Sequence, residues 1–282
     1  MLNADILKKL KLIVFDLDGT LLNNDGVIPE ITQNLIKELK KKDVHFTFAS
    51  GRLHSALTRY AEELNLETPL ISLDGSLIKS HSTNEIIFES YIPARYVKKG
   101  IRLANGTLTK FALCHADAIY YTEENSIIPE MLEKYGAVYH EVSSLDEYFD
   151  KTLELVFVGD IRENIKLIRQ KFSFPYSFGL RHSYYKSHLF GGIYYLEIRK
   201  SGASKGDAVK KLAKRMKLKL DEVAVMGDWY NDRSLFETDA LKIAMANAVP
   251  EIMRLADYVT KKDNHDGGVS EFLEMVLEAK NK

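Results

Sequence analysis

Leu12-Ile13-Val14-Phe15-Asp16-Leu17-Asp18-Gly19-Thr20 sets four consecutive apolar residues directly ahead of two carboxylates on one turn. A continuous apolar run of this length reads as a central strand of a parallel sheet, buried on both faces. Gly19 and Thr20 end it. In open α/β sheets, ligands and chemistry gather just past the carboxyl ends of the strands. Asp16 and Asp18 stand at that edge. An ordinary strand-to-turn junction accounts for a single Asp-Gly pair. It does not account for a second carboxylate on the strand end, where an ionised group without a partner is costly. Two acids so spaced suit a divalent cation, or a division of labour between nucleophile and proton donor.

Working outward, the first 80 or so residues alternate strand and helix. Pro29 opens a helix through about Lys42, Val44–Phe48 is a second apolar run, a helix follows over about Leu53–Leu64, and Pro69–Ser72 is a third short strand. This βαβαβ order predicts a doubly wound parallel sheet. From about Ile92 to Phe190 the character changes. Tyr120, Tyr121, Tyr135, Tyr139, Tyr148, Tyr184 and Tyr185 crowd this stretch, and strand-like runs (Phe111–His115, Ala118–Thr122, Leu153–Val158) alternate with helical ones (Pro93–Ala104, Ile161–Lys171). It reads as a separate α+β unit inserted in the first. After Tyr194–Ile198 the earlier rhythm resumes: a helix over about Lys205–Lys217, strands Val223–Met226 and Ala240–Ala244, and a final helix over about Gly268–Ala279. The expected organisation is an α/β core of residues 1–90 and 191–282 around an α+β insertion of residues 91–190. A small unit inserted at strand ends suits a lid.

Composition bounds the function. Of 282 residues, 39 are Lys or Arg and 40 Asp or Glu, for a formal net charge of −1, a balance that gives no sign of a nucleic-acid partner. The Lys37–Lys42 patch reads as the solvated face of a helix. A lone cysteine, Cys114, excludes an intramolecular disulfide. The N-terminus lacks the long apolar segment of a signal peptide, and no run of about 18 apolar residues suggests a membrane span. The expectation is a soluble cytoplasmic protein with a small-molecule substrate.

Three further features join the opening motif. Ser50, at the end of the second strand, leads through Gly51 and Arg52 into a helix, which offers a hydroxyl and bare backbone N–H groups to an anion. Lys205 lies at another helix start, where its charge opposes the helix dipole unless an anion is near; taken alone it reads as a surface lysine. Gly227-Asp228-Trp229-Tyr230-Asn231-Asp232 repeats the opening logic, with an apolar strand delivering carboxylates to the sheet edge. Asp228 suits a hard cation such as Mg²⁺, whereas Asp232 also reads as the cap of the following helix. Together these groups meet the needs of phosphoryl transfer, which are charge neutralisation and positioning of a nucleophile.

These residues resemble the haloacid dehalogenase superfamily of phosphohydrolases, and most closely its Cof-type, class IIB branch. Asp16-Leu17-Asp18-Gly19-Thr20 is similar to the first superfamily motif, Ser50-Gly51 to the second, Lys205 to the third, and Gly227-Asp228 with Asn231-Asp232 to the fourth. Tyr195-Leu196-Glu197-Ile198, Met245-Ala246-Asn247-Ala248, and Asn264 with Gly268-Val269 also resemble the branch. The insertion falls where that branch carries its cap. The resemblance implies that Asp16 is a nucleophile forming an aspartyl-phosphate and that Asp18 is the general acid and base. It implies Mg²⁺ held by Asp16, Asp18 (through its backbone carbonyl) and Asp228. It also implies a phosphoryl cradle of Leu17, Ser50, Gly51, Lys205 and Asn231. The implied activity is hydrolysis of small phosphate monoesters such as sugar phosphates. A sugar phosphomutase and a catalytically silent phosphate-binding module are the alternatives. The chain departs from the branch at Asp74, where Asn is usual, at Ala246, and at the bulky Trp229 and Tyr230. Asp74 reads as a negative charge near the cleft or as a solvated turn. In the insertion, Arg181, His182, Lys186 and His188 are candidate substrate contacts.

Overall fold

A computed structural model describes residues 2–107, 109–122, 137–186 and 191–282; Tyr135 and His188 lie outside the described residues. The chain forms two compact units. One comprises Met1–Gly51, Leu57–Ile87 and Ser204–Lys282, the other Arg52–Ala56 and Phe88–Ala203. In chain order the first segment carries α1 (Ala4–Lys9), β1 (Leu12–Phe15), α2 (Glu30–Lys40), β2 (His45–Phe48), α3 (His54–Glu63), β3 (Leu70–Ser72), β4 (Leu77–Lys79) and β5 (Ile86–Glu89). The inserted segment follows with α4 (Ala94–Thr107), β6 (Lys110–Cys114), β7 (Ile119–Tyr121), β8 (Tyr139–Glu141), β9 (Glu154–Gly159), α5 (Arg162–Lys171), β10 (Leu180–Lys186) and β11 (Tyr194–Lys200). The last segment carries α6 (Lys205–Arg215), β12 (Val223–Gly227), α7 (Arg233–Phe236), β13 (Leu241–Ala244), α8 (Pro250–Leu255), β14 (Tyr258–Val259) and α9 (Gly268–Asn281). No described helix is long and apolar enough to cross a membrane.

The core is a parallel sheet in the order β14-β13-β12-β1-β2. Every residue of β1 is fully buried, as its unbroken apolar run requires. Strand alternation sends Ile13 and Phe15 to one face, where they join Phe46, Met226 and Ile243. That cluster is closed by Ile36 and Leu39 of α2, Leu57 of α3, and Phe272 and Leu273 of α9. Leu12 and Val14, with Val223 and Val225 of β12, project from the opposite face and are equally buried. Register then sets the strand ends level. Phe15 pairs with Met226 on one side and Phe48 on the other. The next residues along, Asp16, Gly227-Asp228 and Ala49-Ser50, therefore emerge at one edge.

Two expectations are corrected. The third strand is not part of the five-stranded ladder: β3 turns into an antiparallel hairpin with β4, and it meets the end of β2 through a parallel bridge, Ala49 to Ile71, and the Ser50 amide on the Ile71 carbonyl. The core does not resume at residue 191, because β11 pairs antiparallel with both β9 and β10, inside the insertion. Its alternating apolar positions, Leu196 and Ile198, bury with Phe111, Leu113, Leu155 and Phe157 in a second core. Such alternation marks a strand buried on one face, unlike the continuous run of β1. The boundary accordingly moves to Ser204. The six-stranded sheet of the described insertion runs β10-β11-β9-β6-β7-β8.

Phe46 stacks on Phe15 with ring centroids 5.9 Å apart and is 1% exposed. Phe46→Ala is expected to lower stability by about 3–5 kcal/mol, read as a shift in the urea midpoint. Phe46→Leu, which keeps most of the volume, is expected to lose less. A loss below about 1 kcal/mol would show that the ring does not carry this core.

Candidate active site

Asp16 follows β1 directly. Its amide donates to the Met226 carbonyl at 3.0 Å, which continues the ladder one residue past the strand. The chain then reverses: the amides of Leu21 and Leu22 donate to the carbonyls of Asp16 and Leu17. This turn leaves the Asp16 side chain buried and Asp18 exposed. Gly19 makes it possible. Its φ is +81°, and a Cβ there would lie 2.4 Å from Oδ2 of Asp228.

Lys205, the first residue of α6, is fully buried rather than on the surface. Its Nζ donates to Oδ1 of Asp16 and to Oδ1 of Asp232, both at 2.6 Å, and lies 3.9 Å from Oδ1 of Asp74. Burial pulls its pKa down, but the charges of Asp16, Asp232 and Asp74 more than offset that, so the ammonium is held above its ordinary range. The helix start is fixed by Ser204, whose Oγ accepts from the Asp207 amide at 3.1 Å. It is also packed closely against the turn after β3. A Cβ on Gly75, at φ +95°, would come 2.2 Å from the Ser204 carbonyl.

Asp228 and Asp232 come from the end of β12 and the turn after it. Oδ2 of Asp232 accepts from the amides of Asp228 (2.9 Å) and Trp229 (3.0 Å), while Oδ1 holds Lys205. Asp232 thus ties the preceding turn to the lysine; it does not cap α7, as read from sequence. Thr20 Oγ1 donates to Oδ1 of Asp228 at 2.8 Å, joining the two carboxylate-bearing turns. Carboxylate oxygens of Asp16, Asp228 and Asp232 all lie within 4.8 Å of one another. Three carboxylates against one ammonium leave an excess of negative charge in a buried place. Asp16 is accordingly pushed well above the usual carboxylate range, chiefly by burial and then by the Asp232 charge. Burial and Asp232 likewise raise Asp228, to about 7, against the pull of its Thr20 hydrogen bond and of Lys205.

The second-strand edge adds Ser50, which is buried and whose amide donates to Ile71 at 3.0 Å. Its carbonyl accepts from the amide of Asp74, also at 3.0 Å. Asp74 is buried, not a solvated turn, and its Oδ1 accepts from Nδ2 of Asn231 at 3.2 Å. Asp16, Asp74, Lys205, Asp228, Asn231 and Asp232 are thus linked by contacts, with Ser50 joined through its backbone and Gly51 lying against Asp74. Leu17 is fully buried beneath the turn. Trp229 and Tyr230 are exposed, with rings in a T-shaped pair 5.3 Å apart. Arg181, His182 and Lys186 lie on β10; His182 meets Ser173 Oγ at 3.0 Å, an ordinary structural contact.

Sequence reading gave no role to Asn247 and Asn264. Asn247 Nδ2 donates to the Gly19 carbonyl at 2.8 Å, and its Oδ1 accepts from the Asn264 amide at 3.1 Å. Asn264 Nδ2 donates to the Leu22 carbonyl at 2.8 Å. The two amides brace both ends of the Gly19–Leu22 turn. The signals in the chain were the resemblance of these two segments to the branch and the asparagine in each, whose side-chain amide can donate to a carbonyl while its oxygen accepts, as that of Asn247 does.

The haloacid dehalogenase-like hydrolase family matches residues 13–273. The chain belongs to that family and is an enzyme of the hydrolase class. It is 29% identical over 272 residues to the Bacillus subtilis (strain 168) protein named "Putative phosphatase YxeH", covering 95% of this chain and 98% of that one. Among solved structures it is similar to TM0651 from Thermotoga maritima, with a TM-score of 0.80 and 27% identity over 94% of this chain and 97% of that one. A haloacid dehalogenase-like hydrolase from Bacteroides thetaiotaomicron shares the fold, with a TM-score of 0.82 at 23% identity over 95% and 99% of the two chains.

The raised Asp228 gives a pH dependence of stability with a definite sign. With its folded pKa near 7 against an ordinary 3.8, the folded state keeps a proton that the unfolded chain releases. Stability of the metal-free protein therefore falls as pH rises between those two values. In EDTA the thermal midpoint is expected to fall over that range more steeply for the wild type than for Asp228→Asn. Equal slopes would overturn the assignment.

Proposed function

We propose that this hydrolase is a Mg²⁺-dependent phosphatase of small phosphate monoesters that works through an aspartyl-phosphate on Asp16. The observation that carries the reading is the buried Asp16 carboxylate at a strand end, 2.6 Å from a fully buried ammonium and beside a second carboxylate, Asp228. The similarity to a relative named as a phosphatase supports it. The donor set fits a hard divalent cation. It is all oxygen, it carries excess negative charge, and burial has raised two of its carboxylates, Asp16 and Asp228. Asp16, Asp228 and the Asp18 backbone carbonyl would hold the ion, which when bound supplies charge neutralisation for the phosphoryl group.

The chain's own residues perform the chemistry. A carboxylate oxygen of Asp16 attacks phosphorus, and the bond to the ester oxygen breaks. Asp18, at the exposed mouth of the turn, gives its proton to the departing oxygen. Asp18 then takes a proton from water, whose oxygen attacks the aspartyl-phosphate and releases inorganic phosphate with Asp16 restored. Lys205, Asn231, the Ser50 hydroxyl and the Gly51 and Leu17 N–H groups hold the transferring group through its change of charge. Lys205 is well suited, because Asp16 and Asp232 keep it protonated.

Asp16→Asn is expected to lower hydrolysis of an aryl phosphate by at least about a thousandfold, with the far-ultraviolet circular dichroism unchanged. EDTA is expected to abolish turnover and Mg²⁺ to restore it. Substantial Mg²⁺-dependent turnover by Asp16→Asn would sink the proposal. So would conversion of a hexose 1-phosphate to its isomer without release of phosphate.

A further inference from the structure

Asp74 touches each group to which the proposed reading gives the phosphoryl cradle on this side. Its amide holds the Ser50 carbonyl at 3.0 Å. Its carboxylate lies against Gly51, where a Cβ would approach Oδ1 to 3.3 Å. The same Oδ1 accepts from Asn231 and stands 3.9 Å from Nζ of Lys205. The backbone works to deliver it there: Leu73 and Asp74 both have φ near 48°, a left-handed conformation that side chains disfavour. A carboxylate at the centre of an anion cradle is electrostatically adverse, so its presence needs a physical account.

Two effects of this carboxylate can be separated. The first is geometric. One N–H of the Asn231 amide is pinned to Asp74, which leaves the other to face a ligand. An uncharged amide at position 74 would do this equally well. The second is the charge. Lys205 leans on it least, at 3.9 Å against 2.6 Å for each of its two hydrogen-bonded carboxylates. The charge of Asp74 therefore falls on whatever anion shares Lys205 and Asn231. Inorganic phosphate released in the cradle meets a fixed negative charge beside its own.

Resting on the phosphatase reading, we propose that Asp74 is a positioning and charge-tuning residue: it orients Asn231 and weakens the hold on inorganic phosphate, so that product leaves.

The test compares the wild type with Asp74→Asn and Asp74→Ser, the second also serving if the first is not recovered folded. Inorganic phosphate is titrated calorimetrically in the presence of Mg²⁺, and aryl phosphate hydrolysis gives kcat, KM and the phosphate inhibition constant. Both variants are expected to bind phosphate at least about tenfold more tightly. Asp74→Ser, which cannot reach Asn231, is expected to show a kcat about tenfold below that of Asp74→Asn. A residue with a merely structural role would weaken phosphate binding in both. Unchanged or weaker phosphate binding overturns the charge role, and equal kcat values overturn the positioning role. The calorimetry needs no turnover. A wild type that binds phosphate but hydrolyses nothing therefore rejects the phosphatase reading, separately from the role of Asp74.

Discussion

One ammonium group, fully withdrawn from water, organises the site. Lys205 shares its protons between Asp16 and Asp232 and lies close to Asp74. A lysine at a helix start is opposed by the helix dipole, and a buried one forfeits its hydration. Only carboxylates brought close on several sides make that position tenable. Each comes from a different place: Asp16 from the end of β1, Asp232 from the turn after β12, Asp74 from the hairpin after β3. Breaking a buried pair by removing one partner costs about 3–5 kcal/mol, because the survivor is left uncompensated. The three segments are thereby obliged to meet.

What the sequence made legible follows from how local each signal is. The apolar run of β1 declares itself within four residues, and its register against β2 and β12 then carries Asp16, Ser50 and Asp228 to a common edge. Their places follow from the strand pattern alone. Lys205 could not be read as buried, because its burial is created by partners up to 189 residues away. Asp74 was legible as a charge but not as an internal one, for the same reason. Asn247 and Asn264 sit in loops without periodicity, and the carbonyls they brace, those of Gly19 and Leu22, are more than 200 residues distant. The misplaced boundary at residue 191 has another origin. Tyr194–Lys200 is a sound strand by pattern, but its pattern does not say which of two sheets it joins.

The inserted unit rests on different physics. Its sheet, antiparallel except where β7 meets β8, buries one row of alternating residues against α4 and α5. Residues of the alternate row of β9 and β11 carry a buried ion pair, Arg199 to Glu154 at 2.9 Å, with Glu197 as a second partner at 2.8 Å and Tyr185 donating to Glu197 at 2.5 Å. Such a network tolerates little change to any one member, since each truncation strands a charge. The insertion therefore has polar constraints of its own, apart from those of the core unit.

The separation in sequence between Asp16 and Lys205 has a consequence for biosynthesis. A ribosome delivers the carboxylate early, then makes the whole insertion before it supplies the cation that belongs beside it. Asp228 and Asp232 emerge later still. Until β12 is made, the end of β1 lacks that neighbour and the core sheet cannot close around it. A chain released at any point before Gly227 lacks both Asp228 and Asp232, and has no completed central sheet to hold the charges it does carry. Synthesis interrupted before Gly227 thus yields fragments that lack part of the site.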